Sequence, residues 1–188
     1  LSIFYNLWVN VAIVNLQGGR CQTMRKKKMM SVPVGADNPL NAAVTSRDRG
    51  TLDMVAQAIK NNQAMLAFQP VVIAGDPGRV GFYEGLIRVL DETGRIIPAR
   101  EFMPIVERAE LGREIDVVAL NLGLKTLHRN PSLRLSINMS ARSIGYHRWM
   151  QTLQRWVKKD STLGERLILE ITENSAMDQP EWVIDFMA

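Results

Sequence analysis

Polar and apolar positions alternate between two periods along this chain. Leu52, Val55, Ala56 and Ile59 recur at i, i+3, i+4 and i+7, which predicts a short amphipathic helix beginning near Thr51. Residues 65–73 and 81–90 read as strands joined by the turn Asp76-Pro77-Gly78, and so close a connection implies an antiparallel hairpin. Pro70 removes a ladder donor from the first of these strands and argues for an edge or an irregular pairing. Phe102, Ile105, Val106 and Ala109 mark a helix face, with Pro104 separating an initial turn from the main helix; Ile115, Val118, Ala119 and Leu122 mark another. Residues 133–139 form a third predicted strand, Met150, Leu153, Trp156 and Val157 a helix face, and residues 166–171 a fourth strand. The Leu-Ile-Leu core of that last strand suits a parallel strand covered on both sides. Asp178, Pro180 and Glu181 resemble a capped helix start. Alternating strands and helices from Phe102 onward point to a parallel α/β architecture. Periodicity leaves open whether the sheet closes into a barrel or stays doubly wound, although no Gly-rich loop follows a strand as dinucleotide binding would require.

Before Thr51 the pattern fades. Residues 31–50 carry Pro33, Gly35, Asn38 and Pro39 with no apolar period and read as a linker, so residues 1–50 are expected to be a disordered basic arm and residues 51–188 the domain. The net charge of +4 belongs to this arm: residues 1–50 hold seven Lys or Arg against two Asp, whereas residues 51–188 hold sixteen basic and seventeen acidic side chains. The domain therefore offers no basic face for a DNA or RNA polymer. The first sixteen residues are apolar enough to suggest a signal anchor followed by Arg25-Lys26-Lys27-Lys28. The run is nevertheless shorter than the roughly 20 residues a span needs and contains Asn6, Asn10 and Asn15, so a membrane anchor is not expected. Translation from Met24, Met29 or Met30 would leave out residues 1–23. The single Cys21 excludes an intrachain disulfide and fits a reducing, cytoplasmic compartment; the two histidines, His128 and His147, make no zinc spacing and read as surface or capping residues.

Candidate chemistry lies on the strands. A period of two puts Phe82, Glu84, Leu86 and Arg88 on one face of the second strand, Arg134, Ser136, Asn138 and Ser140 on one face of the third, and Ile168, Glu170 and Thr172 on one face of the fourth, with Glu173 just beyond. Buried carboxylates are costly to desolvate, so three successive strands carrying oxygen side chains suggest a metal or a polar ligand. Oxygen-only donors favour magnesium, manganese or calcium over zinc. Arg88 could bind phosphate, and the alternative is an internal Glu84–Arg88 ion pair.

Five ordered motifs carry a resemblance: Phe68-Gln69-Pro70-Val71-Val72, Tyr83-Glu84-Gly85-Leu86-Ile87-Arg88, Pro98-Ala99-Arg100-Glu101-Phe102-Met103-Pro104, Asn138-Met139-Ser140-Ala141-Arg142 and Leu169-Glu170-Ile171-Thr172-Glu173-Asn174. In order and spacing they resemble the EAL domain family over about three-quarters of the chain. The resemblance implies a TIM-type (β/α) barrel with one antiparallel strand, of which this chain would hold about half. It implies hydrolysis of cyclic di-GMP, a bacterial second messenger, to linear pGpG with two Mg2+ or Mn2+ ions. It makes Glu84, Asn138 and Glu170 metal ligands, with Glu84 and Glu170 the catalytic carboxylates. Gln69 and Arg88 would contact the dinucleotide, and Thr172 and Glu173 would anchor a later active-site loop. A homodimer is a further family expectation. Gly85 departs from the family's Ala, a small-for-small change expected to matter little. The family's Asp-Asp-Phe-Gly segment and catalytic lysine do not occur, so the chain alone is expected to leave a bare sheet edge and to be inactive. A degenerate domain acting as a cyclic di-GMP receptor or an interaction module is the alternative.

Overall fold

The computed structural model describes residues 10–14, 39–178 and 180–187. In chain order its elements are β1 (Asn10–Val14), α1 (Pro39–Lys60), β2 (Ala64–Ile73), β3 (Asp76–Leu90), β4 (Ile96–Pro98), α2 (Ala99–Val106), α3 (Glu110–Arg129), β5 (Leu135–Met139), a 3-10 turn (Ala141–Ser143), α4 (His147–Lys159), α5 (Leu163–Arg166), β6 (Leu167–Thr172), α6 (Glu173–Asp178) and α7 (Pro180–Met187). The strands form one mixed sheet in the order β1-β6-β5-β3-β2, with β4 paired to the end of β3. As the short connection implies, β2 and β3 are antiparallel, whereas β3–β5, β5–β6 and β1–β6 are parallel. Pro70 lies in β2 at the edge of the sheet, and the hairpin register slips just beyond it, between Val71 and Ile73. A missing N–H is tolerated at such a place.

One face of the sheet is the core. Leu66, Ile87, Leu135, Ile137, Leu169 and Ile171 project from it and are at most 9% exposed; Phe102, Ile115, Leu120, Leu124 and Trp149 cover them from the helices. This is the apolar half of the period-two pattern, and its burial is the main stabilising term. The α3–β5 connection is closed by Arg166, whose Nη1 donates to the carbonyls of Leu127, Asn130 and Leu133 at 2.9, 3.2 and 3.4 Å. A single guanidinium thus gathers the carbonyls of this turn, adding a second donor to those of Leu127 and Asn130, which also accept from the backbone N–H groups of Asn130 and Leu133. His128, in the last turn of α3, meets Asp160 Oδ2 at 2.9 Å from Nδ1. That contact, with help from Thr162, holds the Asp160 carboxyl down at about 2. His147 opens α4.

Four local expectations change. α1 begins at Pro39, twelve residues ahead of Thr51, so the second half of the expected linker is helical. Residues 10–14, inside the segment expected to lie outside the working domain, form β1 against β6 with Ala12 opposite Glu170, so the β6 edge is paired and not bare. Ile96–Pro98 forms β4 and Glu173–Asp178 forms α6, two elements that the periodicity did not mark.

Candidate functional site

The face of the sheet opposite the core carries the polar residues, and strand register brings them together. Gln69 pairs with Glu84 across the hairpin, Glu84 with Ser136 across β3–β5, and Asn138 with Glu170 across β5–β6. Residues 52 and 32 positions apart in the chain thereby become neighbours. Asn138 donates from Nδ2 to Glu84 Oε1 at 2.7 Å, which leaves its amide oxygen as an acceptor. Glu170 is 7% exposed. Met65 is opposite Arg88, which places the guanidinium two residue pairs further along the same face. Arg88 donates to the carbonyl of Ile87 at 2.9 Å; a Glu84–Arg88 ion pair, the alternative weighed above, is absent among the described residues. Thr172 closes β6 and Glu173 opens α6; the loop-anchor role expected of their side chains lies outside the described residues. A cavity of about 340 Å³ lies elsewhere, among α1, α3 and α4, and none of these residues lines it.

Burial raises the pKa of Glu170, the Ser136 hydroxyl opposes that shift, and the negative charge of Glu84 adds to it. Two carboxylates held near one another and short of water are a site for a positive charge. Among the described residues no group of three or more His, Cys, Asp or Glu is placed to hold a metal ion. A hard cation such as Mg2+ does not need one, since it is commonly held by one or two carboxylates with substrate oxygens and water completing the shell. Two carboxylates and an amide oxygen fit that requirement, and Ser136 Oγ, fully buried without a hydrogen-bond partner among the described residues, marks unmet polar capacity beside them.

Two supporting residues carried no signal of their own in the sequence. Asp116, on α3 and 3% exposed, accepts from the backbone N–H of Ser140 at 2.9 Å and from Ser143 Oγ at 2.6 Å. Ser175, on α6, accepts from the backbone N–H of Ala141 at 2.7 Å and lies 3.2 Å from Ser140 Oγ. The segment that follows Asn138 is thus tied to α3 on one side and to α6, which continues from β6, on the other. Asp116 sits among apolar positions of α3, and only the fold discloses its partners.

The space around Gly85 is tight. A Cβ added there would meet Ile137 Cδ1 at 2.7 Å, Ser136 O at 3.2 Å and Leu66 Cδ1 at 3.4 Å. The same Ile137 methyl would lie 2.7 Å from a Cβ at Gly123 on α3. Ile137 therefore fills a space left by two glycines, and its terminal methyl has to turn aside for a Cβ at Gly85. Gly85→Ala is expected to cost about 1–3 kcal/mol by overpacking. Adding Ile137→Val, which removes the crowding methyl, should recover part of that loss, and urea denaturation of the double-mutant cycle measures it. Additive losses in that cycle would refute the packing account.

Residues 52–188 match the family model of the EAL domain. Two curated relatives are similar at 28% identity: the cyclic di-GMP phosphodiesterase PdeB of Shewanella oneidensis, over 65% of this chain, and the cyclic di-GMP phosphodiesterase PdeF of Escherichia coli K12, over 67%. The matched region is 15% and 17% of the length of those proteins. Among solved structures, the Xanthomonas citri FimX EAL domain in complex with c-diGMP superposes with a TM-score of 0.65 at 19% identity, covering 78% of this chain and 58% of that one. The Pseudomonas aeruginosa FimX EAL domain bound to c-di-GMP gives 0.58 at 26% identity, covering 72% and 55%. The mixed α/β sheet is that of these domains, and with the match spanning most of its length the chain belongs to the EAL domain family.

Proposed function

We propose that the chain supplies the metal-holding part of a cyclic di-GMP phosphodiesterase and acts, within the full-length protein, to open cyclic di-GMP to linear pGpG. The observation that carries this reading is the register that brings Glu84, Asn138 and Glu170 together on one face of the sheet. In this reading those three residues hold Mg2+ or Mn2+, two ions in the complete site. A cation held there supplies Lewis acidity toward a phosphodiester oxygen and lowers the pKa of a bound water. Glu84 and Glu170 carry the negative charge that retains it, and the Asn138–Glu84 hydrogen bond fixes the Glu84 carboxylate. Gln69 and Arg88 contact the dinucleotide, Arg88 neutralising phosphate charge. Among the described residues the sheet is open, with β1 and β2 at its edges, so the 188 residues alone are expected not to turn over substrate. The reading places the domain in the bacterial cytoplasm, and homodimerisation is part of the same expectation. No helix among the described residues is long and apolar enough to cross a membrane.

The receptor alternative rests on the two FimX EAL domains similar to this chain being complexes with c-di-GMP, a bound state that a receptor and a phosphodiesterase share. Incubating the full-length protein with cyclic di-GMP and Mg2+ separates the two. Accumulation of pGpG supports the enzyme, whereas saturable binding without pGpG assigns a receptor and overturns the proposal.

A further inference from the structure

Ser136 is fully buried, sits in register between Glu84 and Ile168, and projects to the same side as Asn138. Glu170 is its diagonal neighbour on the same face, two positions beyond Ile168, and the Ser136 Oγ meets no partner at hydrogen-bonding geometry among the described residues. Burying a hydroxyl unsatisfied is unfavourable, and alanine at the same place would bury a methyl at no such cost. Removing the hydroxyl should therefore not weaken the empty fold. The compensation has to come from a state in which the hydroxyl is bonded.

We propose that Ser136 is a positioning residue for the carboxylate pair: when Glu84 and Glu170 hold a divalent cation, its hydroxyl donates to Glu170 and fixes one carboxylate oxygen, so that the other is presented to the ion. This rests on the metal-holding reading above. Outer partners of metal ligands commonly set affinity by 10–100-fold. A hydroxyl is suited to the task because it donates without adding charge to a site that already needs its negative charge for the cation.

The probe is Mn2+ alone, titrated into the full-length protein and followed by the EPR signal of the free ion, with thermal unfolding of the metal-free protein measured alongside. Ser136→Ala is expected to weaken Mn2+ binding about tenfold while leaving the metal-free midpoint unchanged or higher. Ser136→Thr, which keeps the hydroxyl, should retain the affinity. Equal Mn2+ affinity in wild type and Ser136→Ala, together with loss in Glu84→Gln, would overturn this proposal and leave the metal-holding reading intact. A lowered metal-free midpoint in Ser136→Ala would also overturn it, by assigning the hydroxyl to the fold. If wild type binds no Mn2+, both readings fall.

Discussion

Glu84→Gln is expected to abolish divalent-cation binding and, on the proposed phosphodiesterase reading, to lower cyclic di-GMP hydrolysis by the full-length protein by at least about 10³-fold, without unfolding it. The reduction follows from electrostatics, because preorganised charge at a reacting phosphate is worth on the order of 10²–10³ in rate per interaction, and removing a ligand displaces the ion as well. The fold survives because glutamine keeps the size and an acceptor oxygen at the place where Asn138 Nδ2 now donates to Glu84 Oε1. It also removes the like charge that helps to raise the Glu170 pKa, so Glu170 titrates closer to its ordinary range in the variant. The empty protein should therefore be no less stable. Thermal unfolding, Mn2+ titration and pGpG production measure the three consequences separately. Turnover within tenfold of wild type would remove Glu84 from the metal site.

The second large effect concerns stability. Asp116→Ala leaves the backbone N–H of Ser140 and the Ser143 hydroxyl without their shared acceptor in a buried place. Each orphaned donor costs about 1–3 kcal/mol, so the variant loses about 2–6 kcal/mol out of the roughly 5–15 kcal/mol that holds a domain folded. Asp116→Asn keeps a carbonyl acceptor and should lose far less.

The same residue introduces a pH dependence. Burial above all pushes the Asp116 carboxyl up to about 7, against the pull of the Ser143 and Ser140 donors and with a smaller push from the Glu107 charge. Its unfolded value is the ordinary 3.8. Between those values the folded chain holds the proton more tightly than the unfolded chain, so the contribution is complete at pH below 3.8 and is lost as the pH rises through about 7. Urea midpoints should fall between pH 5 and pH 8 in wild type and vary less in Asp116→Asn. Equal slopes in the two proteins would show that Asp116 is already ionised at pH 5.

The hairpin, the alternation of strands and helices, and the polar face were legible because each rests on a local rule: a short turn, a period of 3.6 and a period of two. The helix before Thr51 was not. Most side chains from Ala43 to Gly50 are exposed, so this stretch of α1 has no apolar face to betray it. In the sequence Pro33, Gly35, Asn38 and Pro39 read as a linker, although proline is well accommodated at the first helical position, where Pro39 stands. β4 has three residues, too few for a period, and exists through its pairing with Arg88, Val89 and Leu90. β1 is a strand because β6, more than 150 residues later, offers it a parallel edge.

The sequence by itself determined which side chains face which way. Glu84, Asn138 and Glu170 fall opposite the apolar residues of their own strands because alternate Cβ atoms of a strand point to opposite faces. It also determined the chemistry available there, since oxygen donors without histidine or cysteine select hard cations. Tertiary structure alone decided that Glu84 stands beside Ser136 and Asn138 beside Glu170, because register between distant strands is set by the packing of whole faces and not by either strand alone. It decided equally that the Ser136 hydroxyl is buried without a partner at hydrogen-bonding geometry among the described residues, that Asp116 holds the segment after Asn138, and that Ile137 packs against both Gly85 and Gly123. Burial is a property of what surrounds a residue, and in each of these cases the surroundings come from elsewhere in the chain.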